Sequence, residues 1–252
     1  MMLLKMIELN QDKQIIYLVA SGLLILAIIA GINMMSKVEH AKNGNRLGAV
    51  SSLLAVVLVM WSYDILSFID LWIALLIGLV VGMIMAAKVK MIQMPQMVAL
   101  LNGLGGLASS IAGGLTLYSS YGSGNYFVLI TAALAVIIGG ITFFGSMIAA
   151  GKLHGLVPSK PVHLKNHNIL NLISLIVLVI LMVLLGFDLL PSKMLMLVVL
   201  LASVVMSYIF GYLFTIRVGG ADMPITISLL NAFSGLSGAI AGLAIYDLLL
   251  VA

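Results

Sequence analysis

The chain has 252 residues, of which 63% are hydrophobic and only 8% charged, with a net charge of +4 and a mean hydropathy of +1.27. A water-soluble domain carries about 25% charged residues, so these residues supply too little polar surface for a globule in water, and lipid must be the main solvent. The apolar runs are long and continuous rather than alternating, which excludes a β-barrel and leaves helices as the spanning elements. There is no cysteine, which excludes disulfides, thiolate metal ligands and cysteine nucleophiles.

The first apolar run, Ile15 to Met35, is too long for the core of a signal peptide and is followed by Ser36-Lys37-Val38-Glu39-His40 rather than by a cleavage site. It reads as a span. A span needs roughly 20 mostly apolar residues. Eight segments qualify, near 15–35, 47–64, 69–87, 94–117, 126–151, 169–187, 193–215 and 223–246. The expected fold is therefore an all-α, polytopic transmembrane helix bundle forming one domain over residues 1–252. Basic residues favour the cytoplasmic side of short loops. Lys37, Lys42, Arg46, Lys88, Lys90, Lys152, Lys160, Lys165 and Arg217 fall on one side, and Lys5, Lys13 and Lys193 on the other. This puts the N-terminus outside and runs span eight from inside to outside. The apolar tail from Leu248 to Ala252 then resembles the opening of a ninth span; an interfacial tail is the other reading.

Spans four and eight repeat each other. Residues 94–113 read MPQMVALLNGLGGLASSIAG, residues 223–242 read MPITISLLNAFSGLSGAIAG, and ten of these twenty positions are identical at an offset of 129. A parallel repeat of this kind often surrounds a shared pathway near the membrane midplane. Asn102 and Asn231 lie seven residues past their prolines, roughly 10 Å into the membrane. An amide at that depth needs a partner, because unpaired polar burial costs about 2–7 kcal/mol. Two readings stand: interhelical glue, or a polar pathway, which the matched pair favours. Glycines and serines at four-residue spacing, such as Gly106, Ser110 and Gly114, permit close helix packing.

Gly103-Leu-Gly105-Gly-Leu-Ala108 fits a dinucleotide-binding pattern, but it lies inside a span with no preceding strand and is rejected. Asp222, just before Met223-Pro224, is either a helix N-cap or a functional carboxylate at the inner mouth of span eight. Thr142 and Ser146, near the inner end of span five, either line water or bond back to a carbonyl. His154, His163 and His167 form no metal site and read as a solvated loop. No span interior carries a clear acidic or basic side chain, so a relay of carboxylates through the spans is unsupported.

Four stretches resemble the beta subunit of the proton-translocating NAD(P) transhydrogenases: MPQMVALLNGLGG at 94–106, ITFFGSMIAAGKLHGLVPSKP at 141–161, GGADMPITISLLNAFSG at 219–235, and the short basic loop at 36–46. The Gly-Gly-Ala-Asp-Met-Pro and Gly-Ser-x-x-Ala-x-x-Lys-Leu runs are the specific ones, and the resemblance spans nearly the whole chain. It implies a multi-pass protein of the inner (cytoplasmic) membrane. Such an enzyme couples hydride transfer between NAD(H) and NADP(H) to proton movement. The resemblance further implies nine spans with a C-terminal NADP(H)-binding domain, an alpha-subunit partner that holds NAD(H), and a dimeric assembled enzyme. Neither the ninth span nor the nucleotide domain is recognisable here, so no cofactor, hydride-transfer residue, metal or nucleic acid is expected on this chain. Matched by motif, the proton-pathway residues are Asn102, where relatives carry His or Asn, Asn231, Ser146 and Asp222. Asn102 cannot titrate near neutral pH, so water ordered by amides is expected at that point. The alternatives are a secondary transporter or channel subunit with a parallel repeat, or a non-functional fragment.

Overall fold

The computed structural model describes residues 11–251; Lys5 and Ala252 lie outside the described residues. Eight helices among them are long and apolar enough to cross a membrane, and no strand occurs among them. They are α1 (Gln11–Met35), α2 (Ala41–Ser62), α3 (Ile69–Lys88), α4 (Met94–Ser120), α5 (Tyr126–His154), α6 (His167–Gly186), α7 (Lys193–Ile216) and α8 (Met223–Ile245), followed by one short turn, α9 (Leu248–Val251). The expected all-helical, eight-span fold is therefore present. Helix α2 starts at Ala41 rather than near residue 47. Hydropathy rises only at Leu47, but nothing between His40 and Gly48 breaks the helix. Its first turns carry Lys42 and Arg46 outward and bury Gly44.

The chain divides into two compact units, one up to Lys88 and one over Val89–Val251. In the first, α1 and α2 pair where Gly31 and Gly44 meet backbone to backbone. Lys13 and Asp64 form an ion pair at 2.9 Å, and no residue of α3 is buried.

The second unit is built around α5. Its ends have local causes: the Asn125 side chain accepts from the Val128 N–H at the start, and Gly155, at φ 85°, closes the last turn. Sixteen residues of α5 are buried, including Ala132, Ala133, Ala135, Val136, Thr142, Ser146 and Ala149. A helix buried this fully needs small side chains on several faces. Helix α4 packs antiparallel to it: a Cβ on Gly106 would lie 2.7 Å from the Gly139 carbonyl oxygen, and one on Gly113 would lie 2.6 Å from that of Ala132. Helix α7 runs parallel to α5, and Gly211 sits against the Ile141 carbonyl, 2.6 Å from where a Cβ would be. The α4 and α8 starts have nearly the same backbone. Each is preceded by a 3-10 turn (Met91–Gln93, Gly220–Asp222), and φ, ψ are −94°, −3° at Gln93 and −91°, 0° at Asp222.

Overpacking a tight contact typically costs about 1–3 kcal/mol. Gly106→Ala is accordingly expected to lower the melting temperature of the detergent-solubilised chain. Gly114→Ala, eight residues along the same helix and with only Leu200 Cδ2 nearby at 3.8 Å, leaves it unchanged; equal effects of the two would refute the close-contact account of α4–α5.

Candidate functional site

Helices α4 and α8 lie side by side and parallel, with matched positions of the repeat in contact. Ser234 Oγ would lie 2.8 Å from a Cβ on Gly105, and Ser109 Oγ 3.9 Å from one on Gly238; both pairs are 129 residues apart, the offset of the repeat. The Asn102 side chain is 7% exposed. Its Nδ2 donates to the Ile227 carbonyl of α8 at 3.4 Å, and Ser234 Oγ donates to the Asn102 carbonyl, also at 3.4 Å. Asn231, its counterpart, is exposed on the surface of this chain. The two amides do not share one buried seam.

The reason is a difference in how the copies are turned. The buried face of α4 runs through Ala99, Asn102, Gly106, Ser110 and Gly113. That of α8 runs through Ile227, Leu230 and Ala241, with Ser234 and Gly238 half-buried between them. Under the repeat these correspond to positions 98, 101, 105, 109 and 112, one residue earlier. One residue is about 100° of rotation in an α-helix, and that rotation carries Asn231 out of the packed face.

Ser146 is fully buried on α5 and packs against Gly103, the residue after Asn102; the Ser146 Cβ would lie 3.3 Å from a Cβ there. Its hydroxyl has no hydrogen-bond partner among the described residues, and neither has that of Thr215, which faces Gly145. Thr142, by contrast, bonds back to the Ile138 carbonyl at 2.7 Å. Asp222 is exposed, and its side chain caps no helix amide. The carboxylate instead lines two hollows of about 480 and 520 Å³, one with His163, His167 and Arg217 and the other with Lys152, Ser159 and Lys160. Asn102, Ser146 and Asp222 thus all belong to the five-helix unit around α5.

Two residues depart from the expected solvated setting. His167 is the first residue of α6 and is buried, with Nε2 2.8 Å from the Leu213 carbonyl oxygen. His163, beside it at a ring separation of 6.5 Å, and His154, the last residue of α5, stay exposed. No group of three or more His, Cys, Asp or Glu able to hold a metal occurs among the described residues. In the sequence Lys152 reads only as a loop charge, yet it is buried in the last turn of α5. The available signal was its place in the Gly145–Leu153 run, where a lysine closes the most buried span.

The family described as NAD(P) transhydrogenase beta subunit matches residues 13–252. The chain belongs to that family. Among its relatives is the NAD(P) transhydrogenase subunit beta of Rhodospirillum rubrum, 37% identical over 242 residues, covering 93% of this chain and 50% of the relative. A second sequence of that name, from a designated strain of the same organism, matches to the same extent. The chain thus spans about half the length of the curated relatives it matches. Eight membrane-capable helices in a member of this beta-subunit family make it a multi-pass membrane protein.

Leaving a buried hydroxyl unsatisfied costs about 1–3 kcal/mol. Ser146→Ala is therefore expected to leave thermal stability in detergent unchanged or raise it by about 1 kcal/mol. A clear loss of stability would mean that the Ser146 hydroxyl is paired within the folded chain.

Proposed function

We propose that this chain forms the proton-conducting membrane part of a transhydrogenase that couples hydride transfer between NAD(H) and NADP(H) to proton movement. The observation that carries the reading is Ser146, a fully buried hydroxyl without a partner among the described residues, packed beside the α4 turn that holds Asn102. In lipid such a group is costly, and a path that passes hydrated protons through the bundle recovers the cost. Asp222, at the α8 start and free of any capping role, supplies a titratable group at the inner mouth. Asn102 and Ser146 order water above it. Asn231 works from the outer face of α8, where further helices of the assembled enzyme cover it.

The distribution of basic residues supports an outside N-terminus in an inner (cytoplasmic) membrane. Family membership supports an alpha-subunit partner and a dimeric assembly. NADP(H) and NAD(H) bind elsewhere in that assembly. Coupling then requires that nucleotide state shift the bundle between two conformations that open the path to opposite sides.

Asn102→Leu and Asn231→Leu are each expected to lower proton-coupled turnover about tenfold in everted vesicles, about 1.4 kcal/mol of barrier, while the complex still assembles. Unchanged proton pumping, followed with a pH-sensitive dye, would remove the affected residue from the pathway.

A further inference from the structure

Lys152 is 1% exposed, and its ammonium lies among carbonyl oxygens from separate segments. Nζ donates to Ile216 O at 2.5 Å, to Val218 O at 2.7 Å and to Lys160 O at 3.4 Å. An ammonium has three N–H donors, so three carbonyls occupy all of them. Ile216 is the last residue of α7. Carbonyls at a helix C-terminus lack intrahelical partners and form the negative end of the helix dipole, which gives a buried cation a counter-field without a carboxylate.

The same ammonium joins two loops. The α5–α6 loop supplies Lys160, and the α7–α8 link supplies Val218. Around it, Ser159 Oγ donates to the Lys152 carbonyl at 3.2 Å, the Gly220 N–H to Ser159 O at 2.8 Å, and the Val162 N–H to Ile216 O at 3.2 Å. A Cβ on Gly219 would lie 3.3 Å from Pro161 Cγ, and one on Gly220 would lie 3.2 Å from Ser159 Cβ, so the two segments lie face to face. The link continues through the 3-10 turn to Asp222.

Lys152 and Asp222 line one hollow, yet no ion pair joins them. A lysine beside an aspartate ordinarily pairs with it. Here three carbonyls take the Lys152 donors, and Lys160, which lines the same hollow, forms no ion pair with Asp222 either. Arg217, His163 and His167 share the adjoining hollow with Asp222 and likewise form no ion pair with it.

We propose that Lys152 is a positioning residue: its three carbonyl bonds fix the Gly219–Asp222 turn at the inner mouth and leave the Asp222 carboxylate free of a lysine partner. The geometric part stands by itself. The consequence for proton coupling rests on the function proposed above.

The chain has no cysteine, so Ala221→Cys, on the exposed turn, carries the one spin label on these 252 residues in a membrane-embedded complex whose other chain segments are cysteine-free. A label at Ser123→Cys, in the loop at the opposite end of α4, reports on the rest of the bundle. With Lys152→Met the expected result is a mobile spectral component at position 221, an unchanged spectrum at 123, and proton-coupled turnover reduced at least tenfold, with Lys152→Arg recovering part of both losses. Lys152→Gln keeps two donors and carries the same test where Lys152→Met fails to insert. An unchanged spectrum at 221 in the variant that inserts overturns the proposal. Loosening at 221 with full turnover retained upholds the positioning and removes Asp222 from the proton path.

Discussion

Helices α4 and α5 touch backbone to backbone, and much of the five-helix unit follows from that contact. Between Gly106 and Gly139 there is no room for a side chain on either helix: a Cβ on Gly139 would lie 2.5 Å from the Gly106 carbonyl oxygen. The close approach sets the relative height of the two helices. It thereby brings Gly103 to Ser146 one turn away and turns Asn102 toward the neighbouring α8. A bulkier seam would separate these polar groups by a layer of side chains. With lipid outside, little drives apolar helices together except van der Waals packing and interhelical hydrogen bonds, so the glycines fix the arrangement.

Buried and half-buried hydroxyls in the unit meet their hydrogen-bonding requirement in two ways, with a small remainder. Thr116, Thr131, Thr142, Ser203 and Ser207 return to a carbonyl of their own helix, which makes them neutral toward neighbours. Ser110 and Ser234 reach across to another helix and tie α4 to α5 and α8. Ser146 and Thr215 do neither. Both lie in the half of the bundle where Lys152 gathers the α5–α6 loop and the α7–α8 link. Within this unit the unpaired buried polar atoms, which also include His167 Nδ1 and Asn171 Oδ1, thus gather toward one end, while Ser21 and Ser62 are further ones in the first unit.

The two most specific sequence runs meet in that region. Gly145–Leu153 ends on the lysine, and Gly219–Pro224 holds the turn that the lysine anchors. Their separate identification in the sequence gave no hint that they touch, because 64 residues separate Lys152 from its Ile216 partner. The charge of Lys152 was legible and its burial was not. A lysine at the end of an apolar helix ordinarily extends to water, and the carbonyls of Ile216, Val218 and Lys160 draw this one inward. His167 shows the same limit. Read as part of a polar loop, it opens α6 and is held by a carbonyl of α7.

Hydropathy accumulates along the chain, so the sequence by itself determined the membrane class, the all-helical fold, the eight spans to within a few residues at most ends, and the family. The repeat likewise foretold that α4 and α8 begin alike. Which face each helix buries is not additive along the chain, because it depends on the neighbour against which the helix packs. Tertiary packing turned α8 by one residue relative to α4, hid Asn102 and exposed Asn231, although both stand in the same Leu-Leu-Asn context. It also decided that Asp222 would cap nothing and that Lys152 would hold three carbonyls. Identical residues in a repeat share a local backbone, but their surroundings come from helices distant in sequence.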